Sequence, residues 1–238
     1  MRAASREAQT RVAEKLDAFL RNSGDSVSIA AQVGTELFLV VDQLEQHRPL
    51  RVAVADASLA PEQRSGMISD VFGSKVADAT LAVLKQAAEQ EWSTPREFRE
   101  GLVHLGRRAL LRGAESEGKL EHVENELFAL SRLLEREGEL TQLLSDRRAT
   151  ADQKRQLLAS VLYGKVSMYT EALALQVIGR PEHNPVDDIA AISRESAELT
   201  GKTVAEVTSA TELTDAQRDA LADKLGKIYG REMAIHSE

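Results

Sequence analysis

The sequence predicts a mainly α protein, built as two tandem helical bundles followed by a small, incomplete α/β domain. Three observations carry this. Ala, Leu, Glu and Arg dominate the 238 residues while aromatic residues are only 4%, and the dominant types are strong helix formers. The chain also repeats itself. Set against Val123 onward without a gap, the stretch from Val33 matches at about sixteen of some seventy-five positions, where roughly four or five would agree by chance. After Gly201, finally, helical spacing gives way to a short Val- and Thr-rich run.

The elements follow in order. Met1 to Arg21 is laced with Arg2, Arg6, Glu7, Arg11, Glu14, Lys15 and Asp17, so it lacks the apolar core of a secretory signal. Val33, Leu37, Val40 and Leu44 step by four, three and four, as Val123, Leu127, Leu130 and Leu134 do in the second copy, giving one amphipathic helix each. Both break at the same place, at His47-Arg48-Pro49 and Glu137-Gly138-Glu139, and a short helix follows, ending near Asp56 and Asp146. The next helix opens on Pro61 in copy one, a residue suited to a first turn, and on the capping box Thr150-Ala151-Asp152-Gln153 in copy two. Gly73 and Gly164 close this pair, Lys75-Val76 and Lys165-Val166 begin another, and Thr94-Pro95 and Asn184-Pro185 cap the last.

Between Pro95 and Glu117 only Gly101, Gly106 and Gly113 interrupt the helical pattern, which predicts one long helix, or two nearly collinear ones, joining the bundles semi-rigidly. Lys202 to Ala210 reads as a strand. Thr214-Asp215-Ala216-Gln217 caps a helix carrying Leu221, Leu225 and Ile228 and ending at Gly230, and Arg231 to His236 reads as a second strand. Two strands and one helix bury too little to stand alone, so part of this domain is expected to be missing. The domains are expected at 1–105, 106–200 and 201–238.

The net charge of −8 argues against a protein that tracks phosphates, since that affinity rests on Lys and Arg. With no Cys, disulfides, thiolate chemistry and zinc ribbons are excluded together. No apolar stretch is expected to span a bilayer, giving a soluble intracellular protein that meets a membrane only through a partner. His47, His104, His122, His183 and His236 lack metal-ligand spacing, and no phosphate loop or nucleophile elbow is present. Asp187-Asp188 suits a first helical turn better than acid–base chemistry. No catalytic residue, metal or cofactor is expected. Arg107, Arg108 and Arg112, balanced by Glu115, Glu117 and Glu121, read as a solvated face. Trp92 reads as a staple packing the start of the following helix, the other reading being an anchor for a partner.

From about Gly106 onward the chain resembles the delta subunit of bacterial F-type ATP synthases, the family of the oligomycin-sensitivity-conferring protein. The resemblance lies in Arg107-Arg108-Ala109-Leu110-Leu111 with Glu117-Gly118-Lys119-Leu120, in Glu126-Leu127-Phe128 with Leu133-Leu134, and in Leu143 to Asp146 through Lys154 and Leu157-Leu158 to Gly164-Lys165-Val166. Its most specific part is Val204 to Ala210 with Leu213-Thr214, Gln217, Leu221, Leu225 and Tyr229-Gly230-Arg231-Glu232. An added upstream bundle is similar to the longer, unfused actinobacterial form. The family continues past the second strand into an Asp-Pro segment, a Gly-Gly pair and a closing strand and helix, whereas this chain ends at His236-Ser237-Glu238.

The resemblance implies a non-catalytic stator subunit of a peripheral stalk, on the cytoplasmic face of the membrane, linking the α/β head to a membrane-anchored b-type subunit. It implies that a groove between the first and fifth helices of the delta-type bundle grips N-terminal helices of the α subunits. In this sequence the groove would use Leu110, Leu111 and Ala114 with Tyr169, Ala172, Leu173, Gln176 and Val177. The same apolar residues read equally well as core. Copy one keeps Val76, Ala79, Leu81, Ala82 and Leu84 but has Lys85 where copy two has Leu175, so it is expected to contact or stiffen the stalk instead. The rival class is a general helical-repeat adaptor binding amphipathic helices of unrelated partners.

Overall fold

The computed structural model describes residues 1–199, 201, 203–209, 211 and 213–237, with backbone only at Glu206 and Asp215. Lys202 and Ala210, the expected ends of the first strand, lie outside the described residues, as do Thr200 and Glu238, where two expected domains end. Twelve helices and two short strands are present among the described residues, a mainly α architecture. The chain divides into two compact units, Met1–Glu117 and Gly118–Glu238. A boundary at 105/106 would fall inside a helix.

The first unit contains α1 (Ala3–Asn22), α2 (Ser26–Gln46), α3 (Arg48–Val54), α4 (Pro61–Phe72), α5 (Asp78–Glu89) and α6 (Pro95–Ser116). The second contains α7 (Leu120–Arg136), α8 (Gly138–Ser145), α9 (Ala151–Leu162), α10 (Met168–Gly179), α11 (Pro185–Leu199), β1 (Thr203–Val207), α12 (Asp215–Tyr229) and β2 (Met233–Ser237). The duplication is kept to the residue. The starts of α3, α4, α5 and α6 are each ninety positions before those of α8, α9, α10 and α11.

Within the first unit, α2 is the core helix. It buries Val33, Leu37, Val40, Val41 and Leu44, with Ile68, Phe72, Leu84, Phe98, Leu102 and Leu105 in the same core. By length and composition α2 could cross a membrane, which corrects the expectation that no stretch approaches such a span. Its apolar content serves the unit's interior instead, because α6 lies directly on it. That approach is closest where two glycines meet. A Cβ on Gly34 would stand 2.9 Å from the Gly106 carbonyl oxygen, and one on Gly106 would stand 3.1 Å from that of Gly34. Gly101 and Gly106, which looked like interruptions of the long helix, are thus points of contact, the first against Trp92 and the second against α2.

Trp92 packs as a staple. It is 4% exposed, its indole N–H donates to the Ala87 carbonyl at 2.8 Å, and it meets Phe98 edge-on at 5.7 Å between ring centres. Arg64, 2% exposed, closes the far end of α5 by donating to the carbonyls of Ala88, Glu89 and Gln90, and it holds the preceding turn through Leu59.

The repeated acid of the Glu-Leu-Phe motif has one task in both copies. Glu36 accepts the N–H of Ala77 at 2.9 Å, and Glu126 accepts that of Ser167 at 3.0 Å. These carboxylates cap α5 and α10, which therefore begin at Asp78 and Met168 rather than at the lysine-valine pairs. Copy two adds the Thr170 hydroxyl, which donates to Glu126, and the Ser167 hydroxyl, which accepts from the N–H of Thr170. We expect Glu126→Ala to cost about 1–2 kcal/mol and Glu36→Ala less, since the latter strands one amide only. Urea midpoints followed by far-ultraviolet dichroism check the order. Equal losses would mean that the extra hydroxyls contribute nothing.

The remaining caps also match their sequence signals. Thr150 with Gln153 and Thr214 with Gln217 form reciprocal capping boxes, and Gly230 closes α12 at φ +68°. In copy one Gln63 still accepts from the N–H of Ala60 at 3.0 Å, although Ala60 has no hydroxyl to return the bond. β1 and β2 pair in parallel, Thr203 opposite Met233, and the helix between them supplies the crossover.

Candidate functional site

Among the described residues no group of three or more His, Asp or Glu could hold a metal ion. The acidic and imidazole groups singled out in the sequence have local roles. Asp188 accepts from the N–H groups of Glu182 and His183 at 2.9 and 3.1 Å, tying down the turn before α11. Asp187 receives a bond from the Asn184 side chain. His122 is exposed and stands 3.1 Å from Glu126, where copy one places Gln32 beside Glu36. Asp56 and Asp146 close equivalent turns, accepting the N–H of Ser58 and of Arg148, both at 2.9 Å. The Ser58 hydroxyl and the Arg148 guanidinium hold these two carboxyls below the usual carboxylate range.

The basic run on α6 is not the solvated face it was expected to be. Arg108 and Arg112 converge on Asp17 of α1, with Arg108 bound through two nitrogens at 2.8 and 2.6 Å and Arg112 at 3.2 and 2.7 Å. Arg107 is 7% exposed. The sequence held no local sign of this cluster, because Asp17 lies 91 and 95 positions from its partners.

The eight residues expected to form the docking groove divide between the units. Leu110, Leu111 and Ala114 lie on α6 in the first and are fully buried. Leu110 is the side chain that meets Gly34. The other five lie on α10 in the second unit. Tyr169, Leu173, Gln176 and Val177 are buried there, and Ala172 is half-buried. α10 is apolar on nearly every side. Besides those four it buries Thr170, Ala174 and Ile178, while Met168 at its start is 56% exposed. Its counterpart α5 buries one stripe, Thr80, Val83, Leu84, Ala87 and Ala88, and leaves Ala82 exposed. Asp78, Ala79 and Lys85 stand in α5 where α10 has Met168, Tyr169 and Leu175.

Two copies of one helical bundle, the second followed by a parallel strand–helix–strand and bearing a helix apolar on nearly every side, define a duplicated helical scaffold. Comparison with known proteins narrows the class. Residues 108–238 match the family model described as ATP synthase delta (OSCP) subunit. The whole chain is 62% identical to ATP synthase subunit delta of Corynebacterium efficiens, covering 86% of that protein. It is 62% identical to the subunit of that name from Corynebacterium glutamicum and 57% identical to that from Corynebacterium diphtheriae, covering 88% of each. The chain belongs to the ATP synthase delta (OSCP) subunit family, and so to the peripheral stalk of the F-type ATP synthase.

Proposed function

We propose that this chain holds the α/β head stationary against rotor torque by joining it to a membrane-anchored b-type subunit on the cytoplasmic face, performing no chemistry itself. The observation that carries this reading is α10. A helix apolar on nearly every side, in one copy of a duplication and not in the other, marks that copy as the gripping half. The ligand proposed for it is an N-terminal amphipathic helix of the α subunit, docking by anchors at helical spacing. Ala172, with exposed Met168 and half-buried Leu175, offers the contact, while Tyr169, Leu173, Gln176 and Val177 set its shape from below. Copy one, with Asp78 and Lys85 on the matching helix, is assigned to the stalk.

The two copies supply their own control. Ala172→Glu and Ala82→Glu place a charge at equivalent positions of α10 and α5. Titrating an α-subunit N-terminal peptide into the full-length variants by calorimetry, we expect Ala172→Glu to weaken binding by at least roughly tenfold and Ala82→Glu to leave it unchanged. Equal weakening by both, or by neither, would overturn the division of labour.

A further inference from the structure

The β1–α12–β2 segment is sparsely packed. No described side chain of α12 is buried, the described residues of β1 are half-buried, and on β2 only Ile235 and His236 are buried. Among the described residues, its closest polar contact with the bundle is made by a buried pair. His236 Nε2 lies 2.8 Å from the Glu124 carboxylate of α7, with the two side chains 3% and 4% exposed. The imidazole also lies against Phe128, with ring centres 4.3 Å apart and planes inclined at 31°. On the same turn the Ser193 hydroxyl of α11 donates to the Glu124 carbonyl at 3.1 Å, so this part of α7 is anchored to the bundle independently. Beside the contact, a cavity of about 260 Å³ lies between α7, α12 and β2, lined among others by Glu121, Asn125, Arg218, Asp219 and Met233.

Copy one shows what this seat is. Glu124 and Phe128 correspond to Gly34 and Phe38, and there the long helix covers the seat, with Gly106 against both. α6 runs on to Ser116 after Gly106, whereas α11 ends at Leu199, three residues past the matching Ser196. In copy two His236 lies on this seat, against Phe128 and Glu124.

We propose that the strand–helix–strand segment is a strap, fastened over α7 by the His236–Glu124 pair against Phe128 and able to lift as one piece while α7 to α11 stay folded. A buried carboxylate and imidazole hold the strap strongly when paired, and removing either strands the other away from water. The void beside them leaves few dispersion contacts to hold the strap once the pair is lost.

Hydrogen exchange on the full chain, resolved by peptide, tests this. In the native protein, amides of β1, α12 and β2 should exchange as one group, ahead of those in α7 and α11. Glu124→Ala and His236→Ala should each speed that group by roughly tenfold or more and leave α7 and α11 unchanged. The double variant should be no faster than the worse single one, as for two halves of one contact. Unchanged exchange in the strap, or equal acceleration in α7 and α11, would overturn the proposal, as would additive effects in the double variant. His236→Ala alters only the strap, so it decides the matter even if Glu124→Ala disturbs the bundle.

Discussion

Gly34→Ala is expected to destabilise the first helical unit by about 2–3 kcal/mol, lowering its melting temperature by roughly 10 °C. The added Cβ would stand 2.6 Å from Leu110 Cγ and 2.9 Å from the Gly106 carbonyl oxygen. The leucine can turn aside, but the carbonyl is helix backbone, so α2 and α6 must separate. Separation loosens the packing of Val33, Leu37, Leu102 and Leu105 on either side of the crossing. Trp92 is the only tryptophan and lies in this unit, so its fluorescence reports the first unit without interference from the second. Gly66→Ala is the matched control. It sits inside α4 with nothing within 4 Å of the new methyl, and it should stabilise by about 0.5–1 kcal/mol through helix propensity. A Gly34→Ala protein with the native midpoint would show that the crossing tolerates a methyl, and the close-approach argument would fail.

What the sequence shows of this molecule follows from the range over which each interaction acts. Caps are local. Thr94, Thr150, Asn184 and Thr214 act within three residues, and each was legible. The duplication was legible because it recurs at one offset over a long stretch, and the structure keeps that offset to the residue. Contacts between distant segments left no trace. Nothing near Glu36 or Glu126 points to an amide 41 residues away, which is why the sequence puts the starts of α5 and α10 two to three residues early. Arg64 is likewise indistinguishable in sequence from a surface arginine, although it is buried and closes α5. The docking residues were the hardest case. An apolar belt on α10 marks a helix covered on several sides, but periodicity alone does not say whether the cover is the protein's own core or a partner. Tyr169, Leu173 and Val177 are buried within the second unit, which leaves Ala172 and Met168 as the positions of that belt reached by solvent.

Asp17→Ala is expected to cost about 2–3 kcal/mol at neutral pH, at or just below the roughly 3–5 kcal/mol for breaking a fully buried ion pair. The side chain of Asp17 is 9% exposed, and those of Arg108 and Arg112 are 31% and 22% exposed, so the stranded guanidiniums can still reach water in part. The loss would be felt between α1 and α6, again within reach of Trp92. Its pH dependence has a definite sign. Burial opposes the charge on Asp17, but hydrogen bonds from Arg108 and Arg112 and their positive charges outweigh it, holding the carboxyl below its ordinary value of 3.8. The folded protein therefore takes up this proton less readily than the unfolded chain. The stabilisation is complete above the ordinary carboxylate range and is lost as pH falls through that range toward the depressed folded value. Urea unfolding of the native protein and of Asp17→Asn, followed through Trp92, should give curves that lie apart at pH 7 and draw together only as pH falls from about 4 toward the depressed folded value. Parallel curves across that window would mean that the two arginines do not depend on Asp17, and the α1–α6 contact would then rest on its apolar residues alone.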